Sequence, residues 1–249
     1  MAPAALRPTV RGPTFIRLLA RLAEADVAAP GASLPDKLGQ WLDWNHALSL
    51  AAALDRHAPA PPDATTAPDE LPAECARARD TLLAAIDNEA LLAPGATPAD
   101  HADFAPYRQA YLTRQRAMQA TVGRLRGKLR DALLQPLPTP TVPAIPAGRH
   151  SRLRAHDGSE GPRDGAARAR LADLDAVMEV ALTPREHALL AKVPDLLARR
   201  FARLHAGAQP HGLDAFRREM QSVLRAELDL RFQSVDALLA ALCTTRESA

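Results

Sequence analysis

The residues of this chain that could do chemistry are eight histidines, two cysteines, two tryptophans and a dense set of basic side chains on one predicted helix. The histidines are His46, His57, His101, His150, His156, His187, His205 and His211. No two of them lie three or four residues apart, so no helical face offers a metal two imidazoles at once. His101, in Ala99-Asp100-His101-Ala102-Asp103, has oxygen and nitrogen donors beside it, but the string reads better as a solvated helix start. Glycine-rich phosphate loops, a nucleophile elbow, the H-E-x-x-H zinc pattern and zinc-spaced cysteine pairs are all missing. The chain is therefore expected to use no metal or cofactor and to be no enzyme. Cys75 and Cys243 fall in apolar helical patterns and are expected to be buried free thiols. A disulfide would require the fold to bring them together.

The basic side chains are Arg114, Arg116, Arg124, Arg126, Lys128 and Arg130. They could form a strip for an anionic partner. Trp41 and Trp44, three apart on one short predicted helix, could anchor an interface, where tryptophan is enriched. In a chain with only nine aromatic residues they read more readily as core.

These groups must be positioned by helices. Of 249 residues, 53 are alanine and 37 leucine, against 12 valines and isoleucines together. Strands favour β-branched and aromatic side chains, whereas Ala and Leu lose little freedom in a helix. The predicted fold is all-α, a multi-helix bundle with a long central hairpin and two proline-rich linkers. Five prolines fall between 59 and 72 and five more between 136 and 146. Lacking an amide donor, they leave three helical blocks: 14–57, 70–135 and 166–244. Residues 136–165 are expected to be a disordered linker, and the three blocks could still pack as one domain.

Within the middle block, Leu71, Cys75, Ala78, Leu82 and Ala85 form a narrow seam. After a turn at Pro94-Gly95, a single stripe runs through Phe104, Tyr107, Tyr111, Met118, Val122, Leu125, Leu129 and Leu133. These eight project within about 80° on a helix about 45 Å long that begins near Asp103. In the last block, Thr183-Pro184-Arg185-Glu186 reads as a capping box restarting a helix, with a kink at Pro194 and a further turn near Gln233-Ser234.

A net charge of +2 hides an asymmetry. Residues 58–100 carry −6, from two basic and eight acidic groups, and 101–135 carry +5, from seven basic and two acidic. Two antiparallel arms of opposite charge would neutralise each other along their flanks. The sharper alternatives are an acidic protein partner or a nucleic acid, but the six basic residues scatter around the helix instead of lining one stripe.

Leu182-Thr183-Pro184-Arg185-Glu186 resembles the opening of the helix-turn-helix in LuxR-type response regulators, yet Pro194 interrupts what would follow. A broader resemblance is carried by Gly12-Pro13, Ser33-Leu34, Leu38, Trp41-Leu42 and Trp44, then by Val193-Pro194, Leu197 and Ala226-Glu227-Leu228-Asp229-Leu230-Arg231. On these the chain resembles a family of helical proteobacterial proteins known only as a domain of unknown function. The resemblance implies a fold and no mechanism. It also implies a genomic setting beside OmpA-like and TolQ/ExbB-type membrane proteins, hence a cytoplasmic accessory of an envelope complex.

Apolar runs such as Leu50 to Leu54 are far short of the ~20 residues that span a bilayer, so no membrane insertion is expected. The functional expectation is a cytoplasmic helical adaptor or structural protein, with a protein partner and self-association through the hairpin. Nucleic-acid binding through helix 104–134 is the alternative.

Overall fold

The structure, a computed structural model, describes residues 13–23, 34–55, 70–93, 103–135, 160–206 and 211–247. Among these the chain is all-α, with no strand. The helices are α1 (Thr14–Ala23), α2 (Leu34–Trp41), α3 (Trp44–Asp55), α4 (Leu71–Asp87), α5 (Ala105–Leu134), α6 (Glu160–Leu190), α7 (Val193–Ala206) and α8 (Gly212–Glu247). A single 3₁₀ turn, Ala90–Leu92, follows α4.

The core lies along α5 and α8. The apolar stripe of α5 is buried as its spacing predicts, with Tyr107, Tyr111, Leu125 and Leu129 fully enclosed and Phe104 packed partly buried at the edge. Against it α8 sets Phe216, Met220, Val223, Leu224, Leu228, Phe232 and Val235. Where the two helices meet α7, Phe104, Tyr107, Phe201 and Phe216 cluster, with the Tyr107 and Phe216 rings edge to face at 5.3 Å. Such pairs add directional attraction to plain apolar burial.

Charge pairs give the helix directions. Glu74 meets Lys128 and Glu89 meets Arg114, so α4 and α5 are antiparallel, as the hairpin reading expects. Arg79 reaches Asp229 and Asp236 while Asp87 meets Arg225, so α4 also runs antiparallel to α8. The hairpin is thus one part of a larger packing. The predicted blocks interleave: α1 packs on α7 and α8, whereas α3, from the same block, packs on α6.

Two sequence expectations fail for one reason, that tertiary packing overrides local stop signals. The helix does not restart at 183–186; α6 runs straight through Pro184. Thr183 Oγ1 donates to the Glu179 carbonyl at 2.6 Å instead of capping, and Glu186 turns to Arg231. The actual break follows Leu190, and Pro194 stands in the first turn of α7, where a missing amide costs nothing. Likewise α8 continues past Gln233-Ser234, with Ser234 Oγ donating back to the Arg231 carbonyl. Gly212 opens α8 because a Cβ there would stand 2.8 Å from the Leu204 carbonyl oxygen.

Two smaller differences concern boundaries and burial. Helix α6 begins at Glu160, inside the span expected to be linker; residues 136–159 lie outside the described residues, as do 56–69. Cys75 is buried, but Cys243 is exposed and both are free thiols. On the last turns of α8, Leu242 takes the inward position beside it.

Candidate interaction surface

The basic strip of α5 is placed first by its partners. Arg114 donates to Glu89 at 2.7 Å and Lys128 to Glu74 at 2.7 Å, both within the acidic arm. Arg126 and Arg130 turn the other way, each contacting Asp175 and Glu179 of α6 at distances from 2.5 to 3.2 Å. Arg116 and Arg124 stand exposed. The six residues are thus divided among two internal interfaces and solvent, and the fold does not gather them into one strip.

Helix α6 runs antiparallel to α5, since Arg168 donates to the Ala132 carbonyl at one end and His187 meets Gln119 at the other. Between α5, α6 and α8 lies an open groove of about 610 Å³. Val122, Met178, Leu182 and Leu230 line it, and Trp41 borders it with the Arg185 guanidinium 5.2 Å from its ring. Two of its lining arginines are already committed internally, Arg126 to Asp175 and Arg231 to Glu186.

Beneath the groove is a buried polar chain that the sequence reading missed. Glu227 is wholly inaccessible to solvent. It accepts from the Tyr111 hydroxyl, from Gln115 Nε2 at 3.2 Å and from Arg231, whose Nη2 lies 2.9 Å away. Arg231 extends the chain to Glu186 at 2.8 Å. Burial, and then the Glu227 carboxylate, push the Tyr111 hydroxyl well above its ordinary pKa of 10.0, so the phenol stays a donor. The signal was present: Glu227 and Arg231 occupy inward positions of the stripe that carries Leu224, Leu228 and Val235. Charged residues at such places are easily misread as the polar side of a helix.

The tryptophans separate. Trp41 is half-buried, while Trp44, 75% exposed, points outward, against the core reading for that residue. Asp43 sets this orientation by accepting the His46 amide at 2.8 Å, which starts α3 at Trp44. Ala53 is the buried side chain of α3, and the helix packs on α6. Its opposite face carries Trp44, Ala47, Leu48, Ala51 and Leu54, within about 120° on a helical projection. Leu48 and Leu54 are 51% and 50% exposed. The helix packs on α6 from its other side, so this apolar face is left open.

Of the histidines, His57, His101, His150 and His156 lie outside the described residues. Among those described, His205 stacks on Phe201, and no cluster of metal-ligating side chains occurs. No helix among the described residues is long and apolar enough to cross a membrane.

The chain matches the model of a family described as "Protein of unknown function (DUF3348)" over residues 1–140 and 148–244. No curated protein and no solved structure matches it.

Proposed function

From the premise that this chain belongs to the DUF3348 family, we propose that it is a non-enzymatic helical adaptor or structural protein that holds a protein partner by helix-to-helix contact. The observation that carries this reading is the outer face of α3, where Trp44, Leu48 and Leu54 stand exposed on a helix already packed on its other side. Apolar faces of this kind are characteristic of interaction sites, and an aromatic anchor flanked by alanines allows a second helix to approach closely. The groove beside Trp41 supports the reading less, because its Arg126 and Arg231 are already paired with Asp175 and Glu186. The proposed setting is cytoplasmic, as an accessory to an envelope complex.

Affinity capture from native lysate, read by mass spectrometry, tests the reading. Wild-type protein should enrich a specific partner, and Trp44→Ser with Leu48→Ser should lose it, since truncating an anchor costs roughly 2 kcal/mol or more, ~30-fold in affinity. Equal recovery by wild type and variant would remove α3 as the contact. Repeated empty captures would remove the adaptor reading itself.

A further inference from the structure

The large apolar cluster of the core draws on α1, α4, α5, α7 and α8. From α6 it takes only Ala172 and Leu190, with Leu171 packed at its edge, and from the described residues of α2 and α3 it takes none. The larger apolar side chains of α6, Leu174, Val177, Met178 and Leu182, are only half-buried. Polar contacts hold α6 in place instead: Arg126 and Arg130 on Asp175 and Glu179, Arg231 on Glu186, and Arg168 on the Ala132 carbonyl.

Such a seam is physically unlike the α5–α8 interface. Apolar contact gains about 25 cal/mol for each Å² removed from water, whereas the attraction between partly buried ions is largely offset by the cost of dehydrating them. The groove of about 610 Å³ opens along this seam, so part of its apolar lining faces water. At one end α6 is anchored, because Leu190 and Val193 are buried on either side of the Ala191-Lys192 turn. Helix α3 has its main packing on α6, so it belongs to the same side of the seam.

We infer that α3 and α6 form a separable layer that opens from the core as one unit about the Ala191-Lys192 turn, while α4, α5, α7 and α8 stay folded. The seam contributes little to the large apolar cluster, and opening it breaks ion pairs that water can replace. This follows from the interior of the molecule and does not depend on what the outer face of α3 contacts.

Hydrogen exchange of the full-length protein, read by mass spectrometry across low urea concentrations, tests the inference. Amides of α3 and of α6 should exchange together, at least 100-fold faster than those of central α5 and α8. Arg126→Gln with Arg130→Gln should speed both α3 and α6 a further 10-fold or more and leave α8 unchanged. Asp175→Asn with Glu179→Gln, which removes the same contacts from the opposite side, should do likewise. The wild-type pattern decides the question even if a variant folds poorly. Exchange of α6 at the rate of α5 and α8, exchange of α3 independent of α6, or equal acceleration of α8 in the variants would each overturn the inference.

Discussion

Glu227 and Arg231 stand one turn apart on α8 and form a 2.9 Å ion pair beneath the seam, with the carboxylate closed to solvent. Tyr111 on α5 joins this buried pair, and Arg231 carries the chain outward to the exposed Glu186 on α6. Burying charge is costly in itself, but removing one member of a buried pair is costlier, because its partner stays behind unpaired.

Glu227→Ala should therefore destabilise the protein by roughly 3–5 kcal/mol. Replacing the network together, with Glu227→Leu, Arg231→Met and Tyr111→Phe, should return stability to within about 1 kcal/mol of wild type. Urea unfolding midpoints make the comparison. A triple variant no more stable than Glu227→Ala would mean the network does more than satisfy its own charges.

Tyr111 adds a pH dependence. Its proton is held more tightly folded than unfolded, so the contribution is fully present below pH 10 and is lost as pH rises toward the higher folded value. Tyr111→Phe should cost about 1–3 kcal/mol at pH 8 by leaving Glu227 with one donor fewer. That gap should narrow above pH 10 by up to about 1.4 kcal/mol per pH unit. A gap constant from pH 8 to 11.5 would contradict the assignment.

The two thiols should react differently. Burial, and then Glu74, push the Cys75 thiol up, whereas Cys243 is exposed. Iodoacetamide should alkylate Cys243 in the native protein within minutes and reach Cys75 only as the chain unfolds. Peptide mapping of the labelled protein reads this directly, and equal labelling of both would show that Cys75 is accessible.

Two glycines predict opposite signs. Gly212→Ala drives a Cβ against the Leu204 backbone and should destabilise by about 1–3 kcal/mol. Gly127 lies inside α5 with open space around it, so Gly127→Ala should stabilise by about 0.5–1 kcal/mol through helix propensity. Thermal melts of the two variants suffice, and a stable Gly212→Ala would deny the close approach.

Nucleic-acid binding through α5 would rest on Arg116 and Arg124, since the other four basic residues of the strip face carboxylates. Two phosphate contacts give a salt slope of only about −1.8, too shallow for tight binding. No mobility shift of DNA or RNA is expected at micromolar protein and 150 mM salt. A shift abolished by Arg116→Ala with Arg124→Ala would revive that reading.

The amino-acid sequence by itself determined the helical class, the α5 stripe from Tyr107 to Leu133 and the pairing of acidic α4 with basic α5. Each is a local or near-local property. Alanine and leucine favour helix wherever they fall, a 3.6-residue period marks a face whatever covers it, and neighbouring arms of opposite charge find each other across a short turn. Tertiary structure decided what depended on distant chain. Packing carried α6 through Pro184 and α8 through Ser234, where the local signals called for breaks. Arg126 and Arg130 found carboxylates on α6, about 50 residues along the sequence, that no periodicity could assign to them. Most of all, it placed Glu227 inside and Trp44 outside, inverting what their polarity suggests. A residue's environment is set by the neighbours that cover it, and those neighbours come from other helices.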